Sequence, residues 1–172
     1  MQVSYTVTDT GASRSFPAPH PLTGNAAAQG EVAILIGAGA GAAYRGMADA
    51  AARTAVLIEL GTECLGVHTG EDRGKEGGNA LGFARFRLGD AEPTNLVELV
   101  KQPATRPEAL AAAKAVLEGA GLVVAVCNDF PGRILDRLLR PYFNAALRRL
   151  DEGLASAEDM DTTLRLGLGY PE

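Results

Sequence analysis

The junction between Leu122 and Tyr142 restricts the fold more than any other stretch of this chain. Six apolar residues, Leu122-Val123-Val124-Ala125-Val126-Cys127, run straight into Asn128-Asp129-Phe130-Pro131-Gly132. A short apolar run rich in β-branched residues and closed by turn formers is a strand. Asp129 stands where a helix N-cap belongs, and Pro131 where a first-turn proline does. Beyond them Ile134, Leu135, Leu138, Leu139, Tyr142, Phe143, Ala146, Leu147 and Leu150 recur at helical spacing. Pro141 interrupts that pattern and is expected to kink the helix, because it removes one backbone hydrogen bond. Gly153 closes the helix, and Ser156-Ala157-Glu158-Asp159 opens another that reaches Gly167. Residues 128–172 are therefore expected to be all-helical. A long apolar stripe with no further chain to cover it points to a partner surface.

The residues before the junction have a different rhythm. Gln2 to Thr8 sets Val3, Tyr5 and Val7 against polar neighbours, the period of a half-buried strand. Residues 11–29, with Pro17, Pro19 and Pro21, are expected to form a linker or surface arm in which His20 is solvated. Val32 to Ile36 is a buried-strand run ending in Gly37-Ala38-Gly39-Ala40-Gly41-Ala42, then a helix-compatible stretch from Ala43 to Arg53 and a second apolar run, Ala55 to Leu60. Gly37, Gly39 and Ala42 satisfy the spacing of a dinucleotide-binding turn, and Glu59 lies about 20 residues on, where a carboxylate bonds a ribose hydroxyl. An alanine- and glycine-rich βα turn that binds nothing fits the same residues.

Gly66 to Asn79 is a glycine-rich charged loop carrying His68, Glu71, Asp72, Arg73, Lys75 and Glu76, and no metal site is expected from it. Phe83 to Leu88 and Asn95 to Val100 read as strands, with Glu98 inside the second. Thr105-Arg106-Pro107-Glu108 has the form of a capping box opening an alanine-rich helix to about Glu118. Alternating strands and helices are the mark of a mostly parallel sheet with helices packed on it.

Composition narrows the function classes. The 172 residues carry a net charge of −5, and 5% are aromatic with no tryptophan. That argues against nucleic-acid partners and base-stacking platforms. Cys64 and Cys127 form no Cys-x-x-Cys pair, which fits a reducing cytoplasm, with Cys127 as inert core. No secretory leader is visible, and no apolar run approaches the ~18 residues of a membrane span.

The junction also carries a resemblance. Asp129-Phe130-Pro131-Gly132-Arg133-Ile134-Leu135-Asp136-Arg137-Leu138-Leu139-Arg140-Pro141-Tyr142 resembles the D-x-P-G-F-[IV]-x-N-R-L-L-x-P-Y signature of the 3-hydroxyacyl-CoA dehydrogenase family. Asn144 to Leu150, the stretch Asp151 to Asp161, Leu166-Gly167-Leu168-Gly169-Tyr170-Pro171 and, upstream, Asn95 to Val100 are similar to further segments of the same enzymes. The resemblance covers Leu81 to Glu172 and implies a truncated helical C-terminal domain. It also implies NAD as cofactor, hydride transfer from C3 of a 3-hydroxyacyl-CoA, and a histidine base oriented by a glutamate.

Carried over residue by residue, that site is incomplete. Ala84 stands at the histidine position, Leu60 at a serine position and Asp136 at an asparagine position, while the orienting glutamate is retained as Glu98. The interval from Gly37 to Ala84 is too short for a complete NAD-binding domain. The fold expected is therefore α/β, a reduced Rossmann-like mostly parallel sheet over residues 1–127 followed by an all-helical domain over residues 128–172. Three functions compete. One is a dehydrogenase component of fatty-acyl-CoA oxidation. The second is a silent relative whose helices pair with a second copy or with an active dehydrogenase half. The third is a nucleotide or acyl-CoA binding module using Gly37 to Ala42.

Overall fold

The computed structural model describes residues 3–70, 78–87 and 91–169. The chain divides into two compact units, Met1–Ile134 and Leu135–Glu172. The first contains a six-stranded sheet in the order β1-β2-β3-β4-β5-β6. Its strands are β1 (Tyr5–Asp9), β2 (Val32–Ile36), β3 (Ala55–Glu59), β4 (Ala80–Arg85), β5 (Leu96–Lys101) and β6 (Val123–Asn128). All neighbours are parallel except β4 and β5, which run antiparallel. The mostly parallel sheet is the expected one.

Strands β2 and β3 are fully buried along their length, which is why their sequences are continuous apolar runs. Alternate side chains feed two cores. On one face Val32, Ile34, Leu57, Leu81, Phe83, Val97 and Leu99 meet Ala109, Ala113, Val116 and Leu117 of helix α4 (Pro107–Gly119). Those helix positions follow the 3.6-residue period, and Leu117 alone, fully buried, contributes about 2 kcal/mol. On the other face Ala33, Leu35, Val56, Ile58, Leu60 and Val100 meet Ala40, Ala43 and Tyr44 of helix α2 (Ala40–Gly46).

Residues 11–29 are a strap packed on the sheet and not a linker. Phe16 and Leu22 sit in the α4-side core, and Ser15 is buried with them. A short helix α1 (Pro21–Gly24) forms inside the strap, and its N-cap is His20, whose Nδ1 accepts from Leu22 N at 3.1 Å. His20 is thus a capping residue beside the Phe16 ring, with centroids 5.1 Å apart, and not a solvated loop side chain. The strap gives the β1–β2 crossover an unusual course. It passes over the α4 face, whereas the β2–β3 crossover passes over the α2 face, although both steps move the same way across parallel strands. The two crossovers therefore have opposite hands. The β5–β6 crossover, on the α4 face with reversed strands, shares the hand of β2–β3. About 98% of such crossovers are right-handed, so β1 with its strap is the exception.

Several local expectations change. The helix expected over Ala43–Arg53 is α2 over Ala40–Gly46, followed by a 3₁₀ turn at Ala50–Ala52. Thr105 does not cap α4; its Oγ1 accepts from Gln102 N at 2.9 Å, and Arg106 takes the N-cap position without a side-chain bond. Asp129 does not cap the helix that follows it. Its two carboxylate oxygens accept from Leu65 N and Gly66 N, each at 2.8 Å, at the start of helix α3 (Gly66–Thr69). Pro131 to Ile134 form turns, and helix α5 begins only at Leu135 and runs to Asp151. The units consequently divide after Ile134 and not after Cys127, because residues 129–134 are held by bonds to the first unit. Glu71 to Glu76 lie outside the described residues.

The second unit holds α5, continuous through Pro141, and α6 (Ala157–Leu168). Ser156 caps α6, accepting from Asp159 N at 3.1 Å as its sequence suggests, and Gly169 closes it in the left-handed conformation. No described residue of either helix is buried.

Candidate functional site

Ala84 and Glu98 are direct cross-strand partners in the antiparallel β4–β5 pair. Paired residues share a face and have Cβ atoms about 5 Å apart, so the positions of the implied base and its orienting acid are brought together. Both point to the α2 side of the sheet, the side of Leu60 and Val100, and both are buried, Ala84 at 6% and Glu98 at 6% exposure. Leu60 packs so tightly on Gly82 that a Cβ added there would collide with its side chain. Three of the four positions that carry polar groups in the implied site are thus on one face, and two of those three are apolar.

Glu98 has taken another partner. Arg133 Nε donates to Glu98 Oε2 at 3.1 Å, with both side chains nearly dry at 12% and 8% exposure. Ile134 N donates to the other carboxylate oxygen at 2.9 Å, and Arg133 Nη2 donates to Gly61 O at 2.9 Å. Arg133 holds this position with φ +44, the single described non-glycine residue with positive φ. A side chain there costs about 1–2 kcal/mol of backbone strain, and the buried ion pair offsets it. Cys127 lies in the same electrostatic neighbourhood. Burial, then the Glu98 carboxylate, pushes its thiol up to about 11. It is half-buried against the second core and not inside it, and the raised value makes it a weak nucleophile. Asp136 lies in the other unit, on α5, where it faces Arg140 Nη2 at 4.0 Å.

The glycine turn has a different geometry from the one a dinucleotide needs. Gly37 takes φ +94 and donates its N–H to Glu59 Oε2 at 2.6 Å. Glu59 Oε1 accepts from Ser13 Oγ at 2.9 Å and Ser15 N at 2.8 Å, and the residue is 7% exposed. A Cβ added at Gly37 would strike the Gly11 backbone, and one at Gly39 would come within 3.0 Å of Thr10 O. The small residues admit the chain's own strap. Helix α2 is seven residues long and starts at Ala40, with Gly39 as its N-cap. Gly37, Gly39, Ala42 and Glu59 therefore do not fit a bound NAD. Glu59 and Glu98 also face opposite sides of the sheet, so the two expected halves of the site are not brought together.

His68 is pinned, with Nε2 3.2 Å from Glu63 Oε1, Nδ1 3.3 Å from Arg45 Nη1 and its ring against Gly41. The role of Arg133 was not legible in the sequence. Its one signal is a charged residue where the resembling signature has phenylalanine. Among the described residues no helix is long and apolar enough to cross a membrane.

The chain is similar to known proteins in its C-terminal segment and in its fold. Residues 132–172 match the family model of the 3-hydroxyacyl-CoA dehydrogenase C-terminal domain. The hydroxyacyl-coenzyme A dehydrogenase, mitochondrial, of Sus scrofa is 43% identical over 76 residues, 44% of this chain and 24% of the relative. A 3-hydroxybutyryl-CoA dehydrogenase of Bradyrhizobium diazoefficiens is 38% identical over 76 residues, 26% of its own length. The chain thus spans about a quarter of the length of these relatives. The structure is similar to an (S)-3-hydroxybutyryl-CoA dehydrogenase from Ralstonia eutropha, with TM-score 0.64 and 21% identity, covering 83% of this chain and 50% of that one. A 3-hydroxybutyryl-CoA dehydrogenase from Escherichia coli gives TM-score 0.63 and 23% identity over 80% of this chain and 29% of that one. Those two likenesses establish the fold, a Rossmann-like sheet with a helical C-terminal unit. Over its C-terminal segment, the chain is similar to the C-terminal domain of the 3-hydroxyacyl-CoA dehydrogenases.

Proposed function

We propose that this chain is a catalytically silent 3-hydroxyacyl-CoA dehydrogenase-like protein that serves as a pairing half for an active dehydrogenase half in fatty-acyl-CoA oxidation. The observation that carries the reading is the Ala84–Glu98 pair with Arg133 on the carboxylate. Oxidation of a 3-hydroxyl to a ketone requires a base within hydrogen-bond reach of the hydroxyl proton while C3 gives up hydride. Ala84 supplies no such group. A guanidinium offers donors and no acceptor, and the Glu98 carboxylate is engaged by Arg133 and Ile134 N. Loss of the base alone removes about 10²–10⁴ in rate.

The helical unit supports the pairing role. Leu138, Phe143, Leu147, Leu166 and Leu168 are 46–83% exposed on two helices with no buried residue among those described. Helices this short gain their stability from packing of an apolar face, so a second copy or an active half is the fitting occupant. Co-expression with a complete 3-hydroxyacyl-CoA dehydrogenase and light scattering on the purified sample test the role. A complex, or a dimer of this chain, that dissociates in Leu138→Asp/Leu147→Asp is expected. A monomer indifferent to both the partner and the substitutions would contradict it.

A further inference from the structure

The glycine turn is occupied by a built-in anion, and this goes beyond the pairing role and does not depend on it. A turn of the Gly37-x-Gly39 kind exposes backbone N–H groups toward negative charge. Here Glu59 Oε2 sits on the Gly37 N–H at 2.6 Å. The carboxylate is buried, and its second oxygen is fixed by Ser13 Oγ and Ser15 N. The strap closes the rest of the approach. Thr10 N and Oγ1 both donate to Ile36 O, Gly39 N donates to Thr10 O at 3.3 Å, and the Gly11 backbone fills the space beside Gly37. Downstream, Arg85 Nη1 donates to Ser15 O at 2.8 Å and its guanidinium lies 5.2 Å from the Phe16 ring centroid, holding the strap from the β4 side. The opposite hand of the β1–β2 crossover is an independent sign of the same thing: β1 and the strap are a closure laid onto the sheet, outside its regular βαβ series.

We infer that Glu59 is a positioning residue that locks the strap (residues 10–16) onto the glycine turn, and that this turn binds no dinucleotide. Amide hydrogen exchange on the full ¹⁵N-labelled chain, with and without NAD at about a thousand times a usual cofactor Kd of micromolar order, tests both parts. Gly37 and Ser15 amides are expected to exchange at least about a hundredfold more slowly than in an open turn, and to keep their shifts and rates when NAD is added. In Glu59→Gln one of the two acceptor oxygens becomes a donor, so at least one of the two amides should exchange about tenfold faster while the β6 amides stay unchanged. Ser13→Ala, which keeps the carboxylate, should speed Ser15 and Phe16 alone, because Ser13 Oγ also accepts from Phe16 N. The inference is overturned if Gly37 exchanges at the free rate, if its resonance moves saturably with NAD, or if Glu59→Gln leaves both amides unchanged.

Discussion

Replacing Arg133 by methionine tests whether the Glu98 ion pair fixes the junction. The side chains are 12% and 8% exposed, dry enough for the cost of an unpaired charge to be felt. Removing one partner of a buried pair costs about 3–5 kcal/mol. Glu98 keeps the Ile134 N–H at 2.9 Å, which lowers the figure, while the Arg133 bond to Gly61 O is lost, which raises it. Methionine retains the positive-φ strain, so no backbone relief intervenes. We expect a loss of about 3 kcal/mol at pH 7, or roughly 6–12 °C in Tm at 2–4 °C per kcal/mol. Glu98→Gln should cost a similar amount, and the double variant about 1.5–3 kcal/mol less than the sum. Urea denaturation of the four proteins gives the cycle. An Arg133→Met change within about 0.5 kcal/mol of the parent, or strictly additive single changes, would refute the clamp.

Two further outcomes follow from the titratable groups. With its thiol raised from 9.0 to about 11, Cys127 should alkylate about a hundredfold more slowly at pH 8 than in the unfolded chain, the rate rising with pH toward that value; mass spectrometry after timed iodoacetamide exposure reads this directly. His20 is lowered from 6.5 by burial and by Arg85. Its stabilising effect is therefore fully present above 6.5 and is lost as pH falls through the lowered folded value, where protonation removes the Nδ1 acceptor for Leu22 N. Thermal melts at pH 7.5 and 5 should show that loss, and His20→Asn, which can still cap α1, should lack it.

The sheet was legible because its central strands are buried on both faces and so appear as uninterrupted apolar runs, and α6 because Ser156 and Asp159 cap it locally. Features that depend on distant partners were not. Asp129 has the ideal local position to cap α5, yet it bonds Leu65 N and Gly66 N, sixty-odd residues back in the chain. The prolines of residues 11–29 correctly exclude helix and strand over most of that segment, but they are silent on whether Phe16 and Leu22 find a core. The glycine spacing at Gly37 and Gly39 signals close backbone approach, which is what occurs; the approaching group is the strap. Ala84 and Glu98 meet because β4 and β5 run antiparallel in that register, and the contact from Arg133 depends on a left-handed backbone position; no composition rule marks either.

The proposal of a silent chain, with Ala84 at the histidine position, is checked by NADH-dependent reduction of acetoacetyl-CoA by the purified chain, followed at 340 nm against a complete 3-hydroxyacyl-CoA dehydrogenase assayed alongside. A rate lower by at least about 10²–10⁴ is expected. Turnover by this chain alone at the rate of the complete enzyme would contradict it.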